Sequence, residues 1–156
     1  MEIGFEDIGE LATQTAYCTE VNTTDSAKSL FGMKLPFTQS TYIYSYGVEI
    51  KAGYDFSAIT WSVTDTTIEV TLPEAKVLSC ELDLDSFQVY YEKESAFNRI
   101  TLEETNEALQ ALTASAQESA LADGLLDNAR TNAETILTAF FSSAFDLEEY
   151  ELVFVD

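Results

Sequence analysis

The chain has 156 residues, 46% of them hydrophobic, including ten Phe, eight Tyr and a single Trp. That is enough apolar material for one ordinary folded domain, and it argues against disorder. Seven basic residues face 28 acidic ones, a formal charge of -21, so an unassisted partnership with nucleic acid or anionic lipid is disfavoured, because phosphate binding needs clustered Lys and Arg. There is no histidine, which removes Ser-His-Asp and Cys-His arrangements, imidazole bases and the common zinc sites together.

The first strand signal is at residues 9–22, where Leu11, Thr13, Thr15, Tyr17, Thr19 and Val21 alternate with Ala12, Ala16 and Cys18. The polar run VNTTDSAKS follows as loop. Phe31-Gly32-Met33-Lys34-Leu35-Pro36-Phe37 then leads into STYIYSYGVEI, where Tyr42, Tyr44 and Tyr46 share one strand face. Gly53, Asp55 and Ser57 read as a turn that launches the next strand: the acid and hydroxyl satisfy local backbone groups, and the glycine supplies a positive φ.

Ile59, Trp61 and Val63 then form the expected buried face of a strand, and Ile68, Val70 and Leu72 that of its partner. The polar pair Asp65-Thr66 between them makes a hairpin, and Pro73, which has no ladder donor, ends it. Leu78, Cys80, Leu82 and Leu84 lie in phase along a third run. After Asp85-Ser86, read as a turn, Phe87, Val89 and Tyr91 lie in phase along a fourth. Sequential strands with short turns predict an antiparallel meander.

From Thr101 the period changes. Thr101 with Glu104 three residues on fits a capping box, and Leu102, Thr105, Leu109, Leu112 and Ala116 mark one helix face. Gly124 reads as its stop. A second helix carries Leu126, Ala129, Ala133, Ile136, Leu137, Phe140 and Ala144 on one stripe, and Tyr150, Leu152 and Phe154 alternate in a closing strand. The whole predicts a single α+β domain over residues 1–156: an antiparallel meander sheet covered on one face by two consecutive C-terminal helices, with a final C-terminal strand returning to the sheet.

Candidate sites are few. Tyr42, Tyr44 and Tyr46 suggest an aromatic platform for a small ligand or glycan within strand 41–48, although aromatic residues at period 2 are also what a half-buried strand prefers. Glu81, Asp83 and Asp85 alternate as the wet face of a strand and lack the EF-hand pattern, so no metal site is expected. Paired carboxylates for a hydrolase have no selecting spacing among so many acids, and phosphate-cradling glycine motifs are absent. No catalytic residue and no cofactor is therefore assigned. Arg99 and Arg130, the only arginines, are expected to pair with nearby carboxylates, Arg130 with Glu134 one turn on. Cys18 and Cys80 are too few and too far apart for a disulfide framework or a CxxC motif, leaving one bridge or two buried thiols.

IGELAT at Ile8 to Thr13, the run from Tyr46 and Gly47 through KAGYDFS, TLPEAKVLS at Thr71 to Ser79, SAFNRI at Ser95 to Ile100 and GLLDNARTNAETIL at Gly124 to Leu137 occur in one order. Together they resemble the bacterial domain of unknown function 4230 family over nearly the whole chain. The resemblance implies a cell-envelope protein on the extracytoplasmic side, held to the membrane by a hydrophobic N-terminal helix preceding Met1. It carries no catalytic residues across. Tyr54 stands where that family commonly has Ile or Leu, which concerns packing. The functional expectation is a non-enzymatic domain for interaction or assembly, with no nucleic-acid partner and an unnamed protein partner.

Overall fold

A computed structural model describes residues 9–156; of the segments carrying the family resemblance, only Ile8 lies outside them. The strands are β1 (Glu10–Ser26), β2 (Ser29–Leu30), β3 (Met33–Lys34), β4 (Ser40–Asp55), β5 (Thr60–Thr64), β6 (Thr67–Thr71), β7 (Lys76–Lys93) and β8 (Glu151–Val155). The helices are α1 (Leu102–Ala122) and α2 (Leu125–Ser142). The long strands form an antiparallel sheet in the order β1-β4-β7, β2 and β3 make a two-residue ribbon, and a third sheet has the order β5-β6-β8. The fold is α+β, with the helices following the strands and the last strand joining a sheet. Among the described residues no helix is long and apolar enough to cross a membrane.

The chain gathers into two compact units. One comprises residues 9–16, Lys51–Ser79 and Gly124–Asp156; the other comprises Tyr17–Ile50 and Cys80–Asp123. In the first, β6 is the central strand. Its Ile68 and Val70, with Leu72 beyond it, are almost fully buried against Tyr54, Ala133, Leu137 and Phe141. As expected from the sequence, β5 pairs with it antiparallel through the Asp65-Thr66 turn; Asp65 there takes a φ of 51°. β8 pairs with β6 in parallel, Ile68 opposite Leu152 and Val70 opposite Phe154, which is possible because α2 supplies the crossover.

Gly53 has a different job from the one expected. Among the described glycines, positive φ is confined to Gly32 and Gly124. At Gly53 a Cβ would collide with the Leu11 carbonyl oxygen and stand 2.9 Å from the Ala12 Cα. Close approach of β1 to β4 is therefore what demands glycine there. The same end of β1 is tied to α2: Thr13 Oγ1 donates to the Ala129 carbonyl at 2.7 Å, and Asn132 Nδ2 donates to the Thr13 carbonyl.

Two apolar stripes also sit differently. Trp61 is 55% exposed and Val63 is exposed as well, because β5 is an edge strand with cover from one side only: the indole meets Phe141 and Phe145 edge-on, at 5.5 and 6.1 Å. On α2 the buried stripe is Leu125, Ala129, Ala133, Leu137 and Phe141, so Ile136 and Phe140 lie on its exposed flank.

In the second unit, α1 begins with the expected capping box. Thr101 Oγ1 accepts from Glu104 N at 3.1 Å, and the Glu104 carboxylate accepts from Thr101 N at 2.7 Å. Gly124 ends the helix with a φ of 85°. Leu112, Ala116 and Ala120 are buried, whereas Leu102, expected on that face, is exposed. Asn22 Nδ2 donates to the Ala108 carbonyl at 3.0 Å and the Cys80 thiol to the Thr113 carbonyl at 3.7 Å.

The expected turn at Asp85-Ser86 is a local irregularity inside one continuous strand. The Ser86 hydroxyl accepts from Gly47 N at 2.6 Å and donates to the Asp83 carbonyl at 2.5 Å, while Asp85 N donates to the Asp83 carboxylate at 3.1 Å. Side-chain groups stand in for ladder partners there, as at a bulge. This shifts the helix-facing set from Cys80 and Leu82 to Phe87, so the change of phase read as a new strand is β7 continuing.

Candidate functional site

The three sequence-predicted tyrosines do come together. Tyr42, Tyr44 and Tyr46 project from one face of β4, and Phe87 reaches them from β7 just past the Ser86 irregularity. Thr24 of β1, Ile100, and Thr105 and Leu109 of α1 close the remaining walls of a cavity of about 280 Å³. Its aromatic lining is ordered by ring contacts: Tyr46 stacks on Phe87 at 4.8 Å, Tyr44 meets Tyr46 edge-on at 5.9 Å, and Tyr44 lies 6.0 Å from Phe87. Tyr44 is buried, and its hydroxyl is 3.3 Å from Thr24 Oγ1. Tyr42 and Tyr46 are half-buried, so this is a recess rather than an open platform.

Burial pushes the Tyr42 hydroxyl above the ordinary tyrosine range. The Glu94 and Glu92 charges add to the rise and Arg99 opposes it. At neutral pH it is therefore a hydrogen-bond donor. The lining contains hydroxyls and rings but no carboxylate, amine or thiol. It can hold a small ring by stacking and by one or two hydroxyl contacts.

Phe87 is the lining residue that sequence reasoning missed. The signal is present in the sequence, because the apolar phase switches between Leu84 and Phe87, but in local composition such a switch looks the same as a chain reversal.

The other candidates separate cleanly. Asp55 and Ser57 are turn chemistry: the Asp55 carboxylate accepts from Ser57 N at 3.0 Å and from its hydroxyl at 2.6 Å, capping one 3-10 turn at Phe56–Ala58. Those hydrogen bonds hold the Asp55 carboxyl below its usual range. Glu81, Asp83 and Asp85 are exposed, and among the described residues no three acids or thiols converge as a metal would require.

Arg130 lies 3.0 Å from Glu134, as expected, and also pairs with Asp156. It borders a broad recess of about 590 Å³ with Tyr54, Glu74 and Asp127, its charge already answered by two carboxylates. Arg99 is 3.9 Å from Glu94. Cys18 and Cys80 are free thiols, held above the usual thiol range by burial first. Because β4 lies between β1 and β7, their backbones are two strand spacings apart, ~9.5 Å. That exceeds the roughly 7 Å a disulfide tolerates.

The first unit carries a third recess, of about 320 Å³, lined by aliphatic and aromatic side chains. Trp61, Phe56, Ile136 and Phe140 are exposed around its rim, and Leu11, Ile59, Leu137 and Phe141 complete it.

The family described as "Protein of unknown function (DUF4230)" matches residues 4–151. The chain belongs to the DUF4230 family. No curated protein and no solved structure matches it. For this DUF4230 chain the chemistry of the recesses is therefore the guide to function.

Proposed function

We infer that the chain is a non-enzymatic, extracytoplasmic domain of a membrane-anchored bacterial envelope protein, serving interaction or assembly. The observation that carries interaction is the apolar recess of the first unit. Trp61, Phe56, Ile136 and Phe140 stand open to solvent around it, and no charged or hydroxyl-bearing side chain lines it. A rigid aromatic surface without convergent polar groups suits the apolar side chains of another polypeptide better than a reacting substrate.

The envelope setting follows from family resemblance and is tested separately. Fractionation of the native bacterium, with protease added from outside, places the intact gene product. Recovery in the cytosol, protected from protease, overturns that part. For the interaction, a photo-cross-linking residue at Phe140 is expected to capture a discrete partner in cells, whereas the same probe at the exposed Glu118 captures none. Equal, diffuse labelling at both positions rejects the recess as an interface.

A second reading rests on the tyrosine cavity, which fits one small ring or sugar unit. A glycan array probed with the wild-type chain and with Tyr44→Ala tests it. Binding by the wild type alone supports a ligand site, and no binding by either ends that reading.

A further inference from the structure

We propose that the β2–β3 hairpin is a membrane-inserting tip, which buries Phe31, Met33 and Phe37 at the headgroup–hydrocarbon boundary of a lipid bilayer. Three independent features of the second unit lead there.

The first is exposure. Phe31 is 93% exposed and Phe37 85%, and Leu30 and Met33 are also open. Phe97 joins them: the Ser95 hydroxyl donates to the Phe37 carbonyl and accepts from Phe97 N at 3.2 Å, so one serine holds both segments together.

The second is backbone strain. Leu30 pairs with Met33, and Phe31 and Gly32 between them both take positive φ, 51° and 79°, which defines a two-residue type I′ turn. The first position of that turn favours Asn or Asp, and a bulky aromatic residue is strained there. Phe37 repeats the pattern. It follows Pro36 at a φ of 64°, where a turn of this form ordinarily takes glycine, and Thr38 Oγ1 locks the turn by donating to the Leu35 carbonyl at 2.8 Å. Two phenylalanines are thus held in unfavourable backbone conformations while their side chains face solvent.

The third is charge. With 28 acids in 156 residues, none lies between Asp25 and Glu49, whereas Lys28 and Lys34 flank the tip. Of the acids attached to this end, Asp25 accepts from Thr41 Oγ1 at 2.5 Å, Glu94 faces Arg99, Glu104 holds Ser26 and Thr101, and Glu92 acts on Tyr42. An apolar tip with lysines set behind it matches the layering of a bilayer interface, with rings below and ammonium groups among the phosphates. The tip is a convex two-residue ribbon.

The test uses the 156-residue chain as it stands, so its outcome does not depend on any preceding anchor, and fractionation judges the envelope setting separately. Flotation is measured with phosphatidylcholine vesicles and with phosphatidylcholine–phosphatidylglycerol vesicles. The wild type is expected to float with the mixed vesicles, and Phe31→Asn is expected to lower that partition by more than about tenfold. Asn-Gly is the preferred type I′ pair, so this variant keeps the hairpin and its loss of binding cannot be ascribed to unfolding. Lys34→Glu is expected to weaken flotation with the mixed vesicles more than with phosphatidylcholine alone. No flotation of the wild type with either vesicle overturns the proposal, as does equal flotation of Phe31→Asn. A concentration-dependent dimer in sedimentation velocity that Phe31→Asn dissolves, without vesicle binding, assigns the tip to a second copy of the chain and likewise overturns it.

Discussion

The core of the first unit and the tyrosine cavity of the second use aromatic residues in opposite ways. In the first, Tyr54 is 1% exposed and fills a core with Ile68, Val70, Leu72, Leu137 and Phe141, in which small residues (Gly53 and Ala133) let elements approach closely. In the second, Tyr42, Tyr44, Tyr46 and Phe87 line a cavity of about 280 Å³. The first arrangement gains stability from close packing, and any change of volume is felt. The second packs its rings around an open space, so its side chains can change at smaller cost to the fold. If this contrast is right, substitutions in the two units differ in what they damage.

The largest effect is expected at Gly53. A valine there has nowhere to go but into the Leu11 backbone, and β1 must move away from β4. We expect Gly53→Val to cost more than about 3 kcal/mol, beyond ordinary overpacking because backbone rather than a movable side chain is in the way. Urea denaturation measures it. A loss below about 1 kcal/mol would show that the two strands separate easily.

Ile68→Ala opens a void beneath β6 and is expected to cost about 3 kcal/mol. Tyr46→Ala, at the rim of an existing cavity, is expected to cost nearer 1 kcal/mol. Equal losses for the two would erase the distinction between core and recess. Tyr44→Phe is gentler still. It removes one hydroxyl contact to Thr24, worth about 0.5–1 kcal/mol, while keeping the ring. In the glycan experiment it separates stacking from hydroxyl recognition, since only the latter should be lost.

Local grammar was readable wherever a residue satisfied its own neighbourhood. The Thr101–Glu104 capping box, the Asp55–Ser57 turn, the Asp65-Thr66 reversal and the Gly124 stop all depend on groups within a few residues of one another. Reading failed where a distant strand decides. Asp85-Ser86 has the composition of a turn, yet Gly47 on the neighbouring strand recruits the Ser86 hydroxyl and keeps β7 running. Trp61 alternates like a core residue, but whether its strand lies at an edge is a property of the sheet. Gly53 looked like a conformational glycine because the approach of Leu11, some forty positions away, leaves no local trace. The candidate site shared both fates: its tyrosines were visible in the pattern, and Phe87 was hidden by the misread strand. The exposed hairpin was passed over because FGMKLPF reads as apolar chain entering a strand, and apolar composition does not announce exposure.

The smallest expected effect tests the capping box through pH. Glu104 accepts from the Thr101 backbone, from Ser26 and from the Thr101 hydroxyl, and the first of these does most to hold its carboxyl below the ordinary value of 4.5. A carboxyl depressed on folding adds stability that is fully present above its unfolded value and is lost as pH falls through the folded one. The loss should therefore develop on acidification below about pH 4.5, the ordinary value of the group. Acidification also relieves the repulsion of 28 acids, which works in the opposite direction across much the same range. The informative quantity is therefore the difference between wild type and Glu104→Gln, in which the general relief cancels. The amide keeps an acceptor for Thr101 N without the charge, so the two proteins should converge in stability as pH falls and differ most near neutrality. A constant offset across the whole range would show that Glu104 acts through shape alone and that its charge contributes nothing to the start of α1.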